Sequence, residues 1–273
     1  MSSYIKQHLG NIFELIQDNN ITSFIIPAGY DANVIIPSEF EANETRSYVV
    51  IKNESIVAQM KNSNFIRYIS SKDMIELLLP YLDKNGDIND ICDIIILSEL
   101  YPGEIHYDAL FSLWMNLEKI YDGIPRLVIL NSKPSDNLPP NAAKLEIKNP
   151  ITLKYEYMDT SRDFVYENMV KLISNRIKLG NHNMIIIVPI ISEFLRYLEG
   201  IDNVVSSDDL IRITDQNKTI LITTPDQVAY NYLPNTKYVI DSCCFAVFLE
   251  MLSNSYLSPI CNIESITYLV FGK

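Results

Sequence analysis

Cys92 to Leu117, CDIIILSELYPGEIHYDALFSLWMNL, decides the fold. A short apolar run, Ile94 to Leu97, is bounded by charged and polar residues. Branched and aliphatic residues in such a run read as a strand buried on both faces. A polar segment follows from Ser98 to Tyr107, with Pro102 and Gly103 at its centre. From Asp108 onward, Leu110, Leu113, Trp114 and Leu117 fall at helical spacing. Asp108 suits a first turn, where a carboxylate meets the positive end of the helix dipole. The unit is therefore strand, polar loop, helix. In an open parallel sheet, ligands gather outside the carboxyl ends of the strands. The loop from Ser98 to Asp108 is thus expected to border any reaction centre.

The same alternation extends outward in both directions. Upstream, Tyr4 to Gln17 has the spacing of an amphipathic helix, stopped by Asn19 and Asn20. Ser23 to Ile26 reads as a strand, Pro27 to Asn33 as a loop, and Val34 to Phe40 as a helix broken by Pro37. Strands are expected at Tyr48 to Ile51 and Phe65 to Ile69, and helices at Glu54 to Met60 and Lys72 to Leu82. Arg126 to Leu130 is a further strand, followed by a loop from Asn131 to Asn141. Near Asn149 and Pro150 the pattern restarts. Strands are expected at Thr152 to Tyr157, Met184 to Pro189, Thr219 to Thr224 and Lys237 to Asp241, with short candidates at Val204-Val205 and Leu210 to Ile213. Helices are expected at Phe164 to Lys178 and Ile191 to Leu198. Such alternation predicts an α/β fold built on mostly parallel sheets, in two lobes spanning 1–149 and 150–273.

Composition narrows the function classes. The chain has 273 residues, 48% of them apolar, with a net charge of −12. An acidic chain lacks the global basic signal of a nucleic-acid binder, since phosphate contacts supply most of that affinity. Four cysteines without regular spacing fit a reducing compartment such as the cytoplasm rather than a disulfide framework. Cys243 and Cys244 read as buried thiols. The N-terminal MSSYIKQHLG lacks the apolar core of a signal peptide, and no apolar run is long enough to span a bilayer. His106 lies near Glu104 and Asp108, but one histidine without a nearby cysteine makes a poor metal set. His8 and His182 are far apart in sequence. Ser98 is not within a G-x-S-x-G elbow, so serine-hydrolase chemistry is not indicated.

The order of short motifs resembles superfamily 2 helicases of the DEAH/DExH type, which are two tandem RecA-like lobes. The likeness is collinear over nearly the whole chain, yet most chemical residues differ. FIIPAGYDANVIIPSEF occupies the place of the P-loop, G-x-x-x-x-G-K-T, whose backbone N–H groups, lysine and threonine hold phosphate and Mg²⁺. Only Gly29 agrees with that pattern. Asp31 stands at the second glycine, Ala32 at the lysine and Asn33 at the threonine. Glu54-Ser55 replaces an arginine pair, and Ser70-Ser71-Lys72 replaces Thr-Asp-Gly. IIILSELYPGEIHYDALFSL lies without a gap over IIIDEAHERSxxTDxLLGL. Ser98 thus replaces the Mg²⁺-holding aspartate, and Glu99 keeps the water-polarising glutamate. Asn131-Ser132-Lys133 stands for Ser-Ala-Thr. In the second lobe, KTILITTPDQVAYNYLPNTKYVIDS resembles the family's K-x-I-x-A-T-N strand and its Y-V-I-D run. The motif Q-R-x-G-R-x-G-R, source of arginine fingers, should fall near Cys261 to Phe271, but no arginine follows Arg212.

The resemblance implies two RecA-like lobes without NTPase activity. It makes Gly29, Asn33 and Ser98 vestiges of a nucleotide site and Glu99 a vestige of the catalytic centre. It makes Thr223 and Thr224 counterparts of residues that touch a nucleic-acid backbone. No metal or cofactor is expected, ATP and Mg²⁺ included. The implied role is an interaction or scaffold subunit with a protein partner, in a nucleic-acid-processing or viral assembly. The alternatives are an ATP-dependent RNA or DNA helicase and a module that binds nucleic acid without hydrolysis. Read from its neighbours alone, Glu99 is a solvated loop carboxylate, and Gly29 relieves a tight turn.

Overall fold

The computed structural model describes residues 2–26, 32–84, 86–132, 138–148, 152–158, 164–207, 218–225, 227–228, 231, 233, 236–242 and 265–271. The chain divides into two compact units, Met1–Lys148 and Asn149–Lys273. The strand expected at Leu210 to Ile213 and the thiols of Cys243 and Cys244 lie outside the described residues, as does Gly29.

The first unit runs α1 (Ser2–Asp18), β1 (Ile21–Ile25), α2 (Ala32–Ala42), β2 (Ser47–Ile51), α3 (Glu54–Val57), β3 (Ile66–Ser70), α4 (Ser71–Leu78), β4 (Ile94–Ser98), α5 (Ile105–Ile120), β5 (Arg126–Asn131) and β6 (Ala143–Glu146). Its sheet has the order β3-β2-β4-β5-β1-β6, and every pair is parallel. The central strands β2 and β4 are buried at every position. That matches their unbroken apolar sequences, because a parallel sheet covered on both faces has no solvent side. One face carries Tyr48, Val50, Ile95, Leu97, Leu127 and Ile129 against Met74 and Leu78 of α4 and Leu110, Trp114 and Leu117 of α5. Each such buried aliphatic side chain contributes about 1.5–3 kcal/mol relative to exposure. Trp114 keeps its polar handle satisfied, its Nε1 donating to Pro125 O at 2.9 Å. On α1 and α2, Phe13 meets Phe40 edge to face at 5.0 Å.

Two local expectations are corrected. The helix over Pro37 is not broken: α2 continues to Ala42 with Pro37 inside it. A proline has no N–H for the carbonyl four residues back, here Asn33. Tyr68 Oη of β3 donates to that carbonyl at 3.3 Å, so the vacancy in the ladder is filled from the sheet. Helix α5 also starts earlier than Asp108. Tyr101-Pro102-Gly103-Glu104 makes a tight turn closed by Glu104 N to Tyr101 O at 3.0 Å, with Gly103 at φ +91°. Proline second and glycine third at positive φ is the arrangement of a type II turn. Asp108 then reaches back from the first helical turn and accepts from Gly103 N at 3.1 Å. The edge strand β6 was not expected, since AKLE alternates over only four residues with half its positions exposed.

The second unit contains β7 (Thr152–Met158), α6 (Val165–Ile177), β8 (Asn183–Ile187), α7 (Ile191–Leu195), β9 (Val204–Ser206), β10 (Ile220–Thr223), β11 (Thr236–Asp241) and β12 (Ser265–Phe271). Its sheet order is β7-β12-β11-β8-β10-β9, again with parallel pairs. Met169 and Ile173 of α6 and Ile191 and Phe194 of α7 pack on Met184, Ile186, Ile222 and Ile240. Strand β12 occupies the segment where the resemblance placed an arginine-rich motif. No helix among the described residues is long and apolar enough to cross a membrane.

Candidate functional site

The carboxyl edge of the first sheet is built from the residues that end each strand. Adjacent strands β2 and β4 send their following connections to opposite sides, which is the topological switch where α/β sheets hold ligands. Asn53 follows β2 and caps α3, its side chain accepting from Ser55 N at 2.9 Å. Ser70 ends β3 and caps α4, accepting from Asp73 N at 3.1 Å and donating to Asp73 Oδ2 at 2.8 Å. The next residue, Ser71, is buried, and its Oγ lies 2.9 Å from Nδ1 of His106 on α5. Lys52 Nζ meets Glu104 Oε1 at 3.4 Å and spans the ends of β2 and the β4 loop. Ser70, Ser71 and Lys52 thus hold their side chains in contacts that close this edge.

Ser98 ends β4 and is 1% exposed. Glu99 follows at φ +52°, a region that residues with a Cβ seldom enter. Its backbone N–H donates to Leu130 O at 3.0 Å, which anchors the turn to β5. The carboxylate is not the solvated group its sequence neighbours suggest. Tyr101 Oη donates to Glu99 Oε2 at 2.6 Å and Ser132 Oγ donates to the same atom at 2.9 Å. The two hydroxyls are 3.3 Å apart. Burial, followed by the neighbouring carboxylate, pushes the Tyr101 phenol far above its ordinary pKa, so it stays a donor. Asn131 Nδ2 donates to Leu100 O at 3.0 Å and fixes the loop from the β5 side. Asn131 Oδ1 and Glu104 Oε2 are buried and unpartnered among the described residues.

Of the other residues singled out from sequence, Asn33 sits buried in the first turn of α2. Thr223 ends β10 fully buried, and Asn231 Nδ2 approaches its Oγ1 at 3.5 Å. Thr224 is half-buried, and its carbonyl accepts from Gln227 N and Val228 N. His106 is engaged by Ser71, and His182 by Lys237 at 3.4 Å. Burial and then the Lys237 charge lower the His182 pKa. No group of three metal-ligating side chains occurs among the described residues. The roles of Tyr101 and Ser132 in holding Glu99 were missed from sequence. The only signal was that both stand where the family places residues of its own motifs.

The chain is similar to the Escherichia coli DEAH/RHA helicase HrpB, with a TM-score of 0.70 at 10% identity. That alignment covers 87% of this chain and 36% of the helicase. A second structure, the E. coli DExH-box NTPase HrpB, aligns with a TM-score of 0.63 at 11% identity, covering 88% of this chain and 36% of that one. The fold is helicase-like. The chain spans little more than a third of the length of these proteins. No known family profile and no curated protein sequence matches it.

Proposed function

We propose that this helicase-like chain is catalytically inactive and acts as an interaction or scaffold subunit, in a nucleic-acid-processing or viral assembly within a reducing compartment. The observation that carries the reading is the state of Glu99. A carboxylate that polarises water must have a lone pair aimed at that water. Here one of the two carboxylate oxygens, Oε2, is already committed to Tyr101 and Ser132, which supports a structural role for the group as a tie between the ends of β4 and β5. Beside it is a buried serine, Ser98, which the resemblance aligns with the metal-holding aspartate. Phosphoryl transfer depends on electrostatic stabilisation by lysine, metal and arginine, and the resemblance aligns Ala32 with that lysine and Ser98 with the metal aspartate, with no arginine after Arg212.

The test is calorimetric titration with ATP and Mg²⁺, together with a phosphate-release assay. The proposal expects neither saturable heat nor turnover. Mg²⁺-dependent turnover that disappears in Glu99→Gln would restore the helicase alternative.

A second reading, binding of RNA or DNA without hydrolysis, draws support from the half-buried Thr224, the residue that follows β10. It requires affinity that falls steeply with salt and that weakens in Thr224→Ala.

A further inference from the structure

At the amino edge of the first sheet, away from the strand ends discussed above, lies a cavity of about 310 Å³. Its walls come from the starts of β2 and β3, from the end of α4, and from the 3-10 turn Ile88–Asp90. That size lies at the lower end of the range for small-molecule sites. Five of its side chains are apolar or aromatic: Tyr48, Phe65, Leu77, Tyr81 and Ile91.

The charged groups of the cavity differ in how they are used. Arg46 is spent on structure. Its Nη2 meets Asp93 Oδ1 at 3.0 Å, its Nη1 donates to Asp90 O at 2.9 Å and its Nη2 to Asn89 O at 2.6 Å. Arg67 is different. It is the register partner of Tyr48 across β2 and β3. Its guanidinium lies 5.9 Å from the centre of the Tyr48 ring, and Nη1 donates to Tyr48 Oη at 3.2 Å. Those contacts orient the guanidinium fork without neutralising it. Among the described residues Arg67 pairs with no carboxylate. Arg67 is exposed, so its fork can be reached from solvent. Asp90, on the 3-10 turn, is exposed, and its side-chain carboxylate accepts no hydrogen bond among the described residues, although it feels the charge of Arg46, which bonds its backbone carbonyl.

We propose that this cavity binds a small zwitterion of the α-amino-acid class with an apolar or aromatic side chain, its carboxylate on Arg67 and its ammonium on Asp90. Phe65, Tyr81, Leu77 and Ile91 receive the side chain. A preformed fork for a carboxylate, a separate carboxylate and an apolar wall within one cavity match that ligand, whereas a simple anion would face Asp90 and a simple cation would face Arg67. The proposal is independent of the helicase-like reading.

The experiment uses the full chain and three probes, followed by NMR or calorimetry: phenylalanine, phenylacetate, which lacks the ammonium, and phenethylamine, which lacks the carboxylate. Phenylalanine is expected to bind saturably, and each singly charged probe about tenfold or more weaker. Arg67→Met, which keeps most of the side-chain stem, should weaken phenylalanine and phenylacetate but not phenethylamine. Asp90→Asn should weaken phenylalanine and phenethylamine but not phenylacetate. Thermal unfolding of both variants near that of the parent shows that the loss is one of binding. Absence of saturable phenylalanine binding up to roughly ten millimolar, or binding that neither substitution changes, overturns the proposal.

Discussion

Tyr101 Oη donates to Glu99 Oε2 at 2.6 Å. The donor and acceptor are two residues apart in sequence, and Glu99 can face Tyr101 only because its backbone turns at φ +52° as the chain leaves β4. Ser132 from the end of β5 completes the contact at 2.9 Å. One carboxylate therefore ties the ends of two adjacent strands together.

Tyr101→Phe removes the shorter of the two bonds and leaves a half-buried carboxylate short of a donor. Hydrogen bonds to charged groups are worth about 1.5–3 kcal/mol, so the variant should lose stability in that range. Trp114 is the chain's single tryptophan and is 2% exposed. Its fluorescence during urea unfolding gives the measurement. A loss well under half of that range would mean that water, not Tyr101, satisfies Glu99.

Alkaline pH should destabilise the protein earlier than ordinary side chains require. Burial, followed by the Asp93 charge, raises the Cys92 thiol to about 12, and Tyr101 is raised as well. A group that holds its proton more tightly when folded stabilises the fold fully below its unfolded pKa. That stability is lost as pH rises through the folded value. Unfolding free energy should therefore fall from roughly pH 8.5 upward, less steeply in Cys92→Ala. Native Cys92 should also resist a thiol reagent near neutrality and react once urea unfolds the chain.

Tyr68→Phe leaves the Asn33 carbonyl without the donor that replaces the one Pro37 lacks. An abandoned buried acceptor costs about 1–3 kcal/mol. Pro37→Ala restores an N–H at the position that can serve that carbonyl. The double variant should therefore lose less than the sum of the singles, a coupling that a double-mutant cycle measures directly. Strict additivity would show that Tyr68 and Pro37 act independently.

Lys52→Met removes the only ion-pair partner of Glu104 among the described residues. Lys52 is half exposed, at 52%, so the loss should be about 1 kcal/mol or less and should shrink in high salt. A loss independent of ionic strength would mean that packing of the lysine stem, not charge, is what matters.

Sequence by itself determined the alternation of strands and helices, because short β-branched runs such as Ile94 to Leu97 and Met184 to Ile187, bounded by polar residues, read as buried strands, and their spacing leaves room for crossover helices. It also determined that Ala32 and Ser98, which the resemblance sets against a lysine and an aspartate, carry no charge in any fold. Tertiary structure alone decided the rest. Pro37 breaks a helix in isolation, and only the arrival of Tyr68 from β3 lets α2 continue. Glu99 reads as solvated from its neighbours, and only the pairing of β4 with β5 brings Ser132 to it. Strand β6 carries too weak an alternation to show, and it forms because β1 offers a free edge. Arg67 and Asp90 meet one cavity only through the folding of β3 against the turn after α4. In each case the deciding partner lies far along the chain, and local propensity holds no record of contacts that exist only once the sheet has formed.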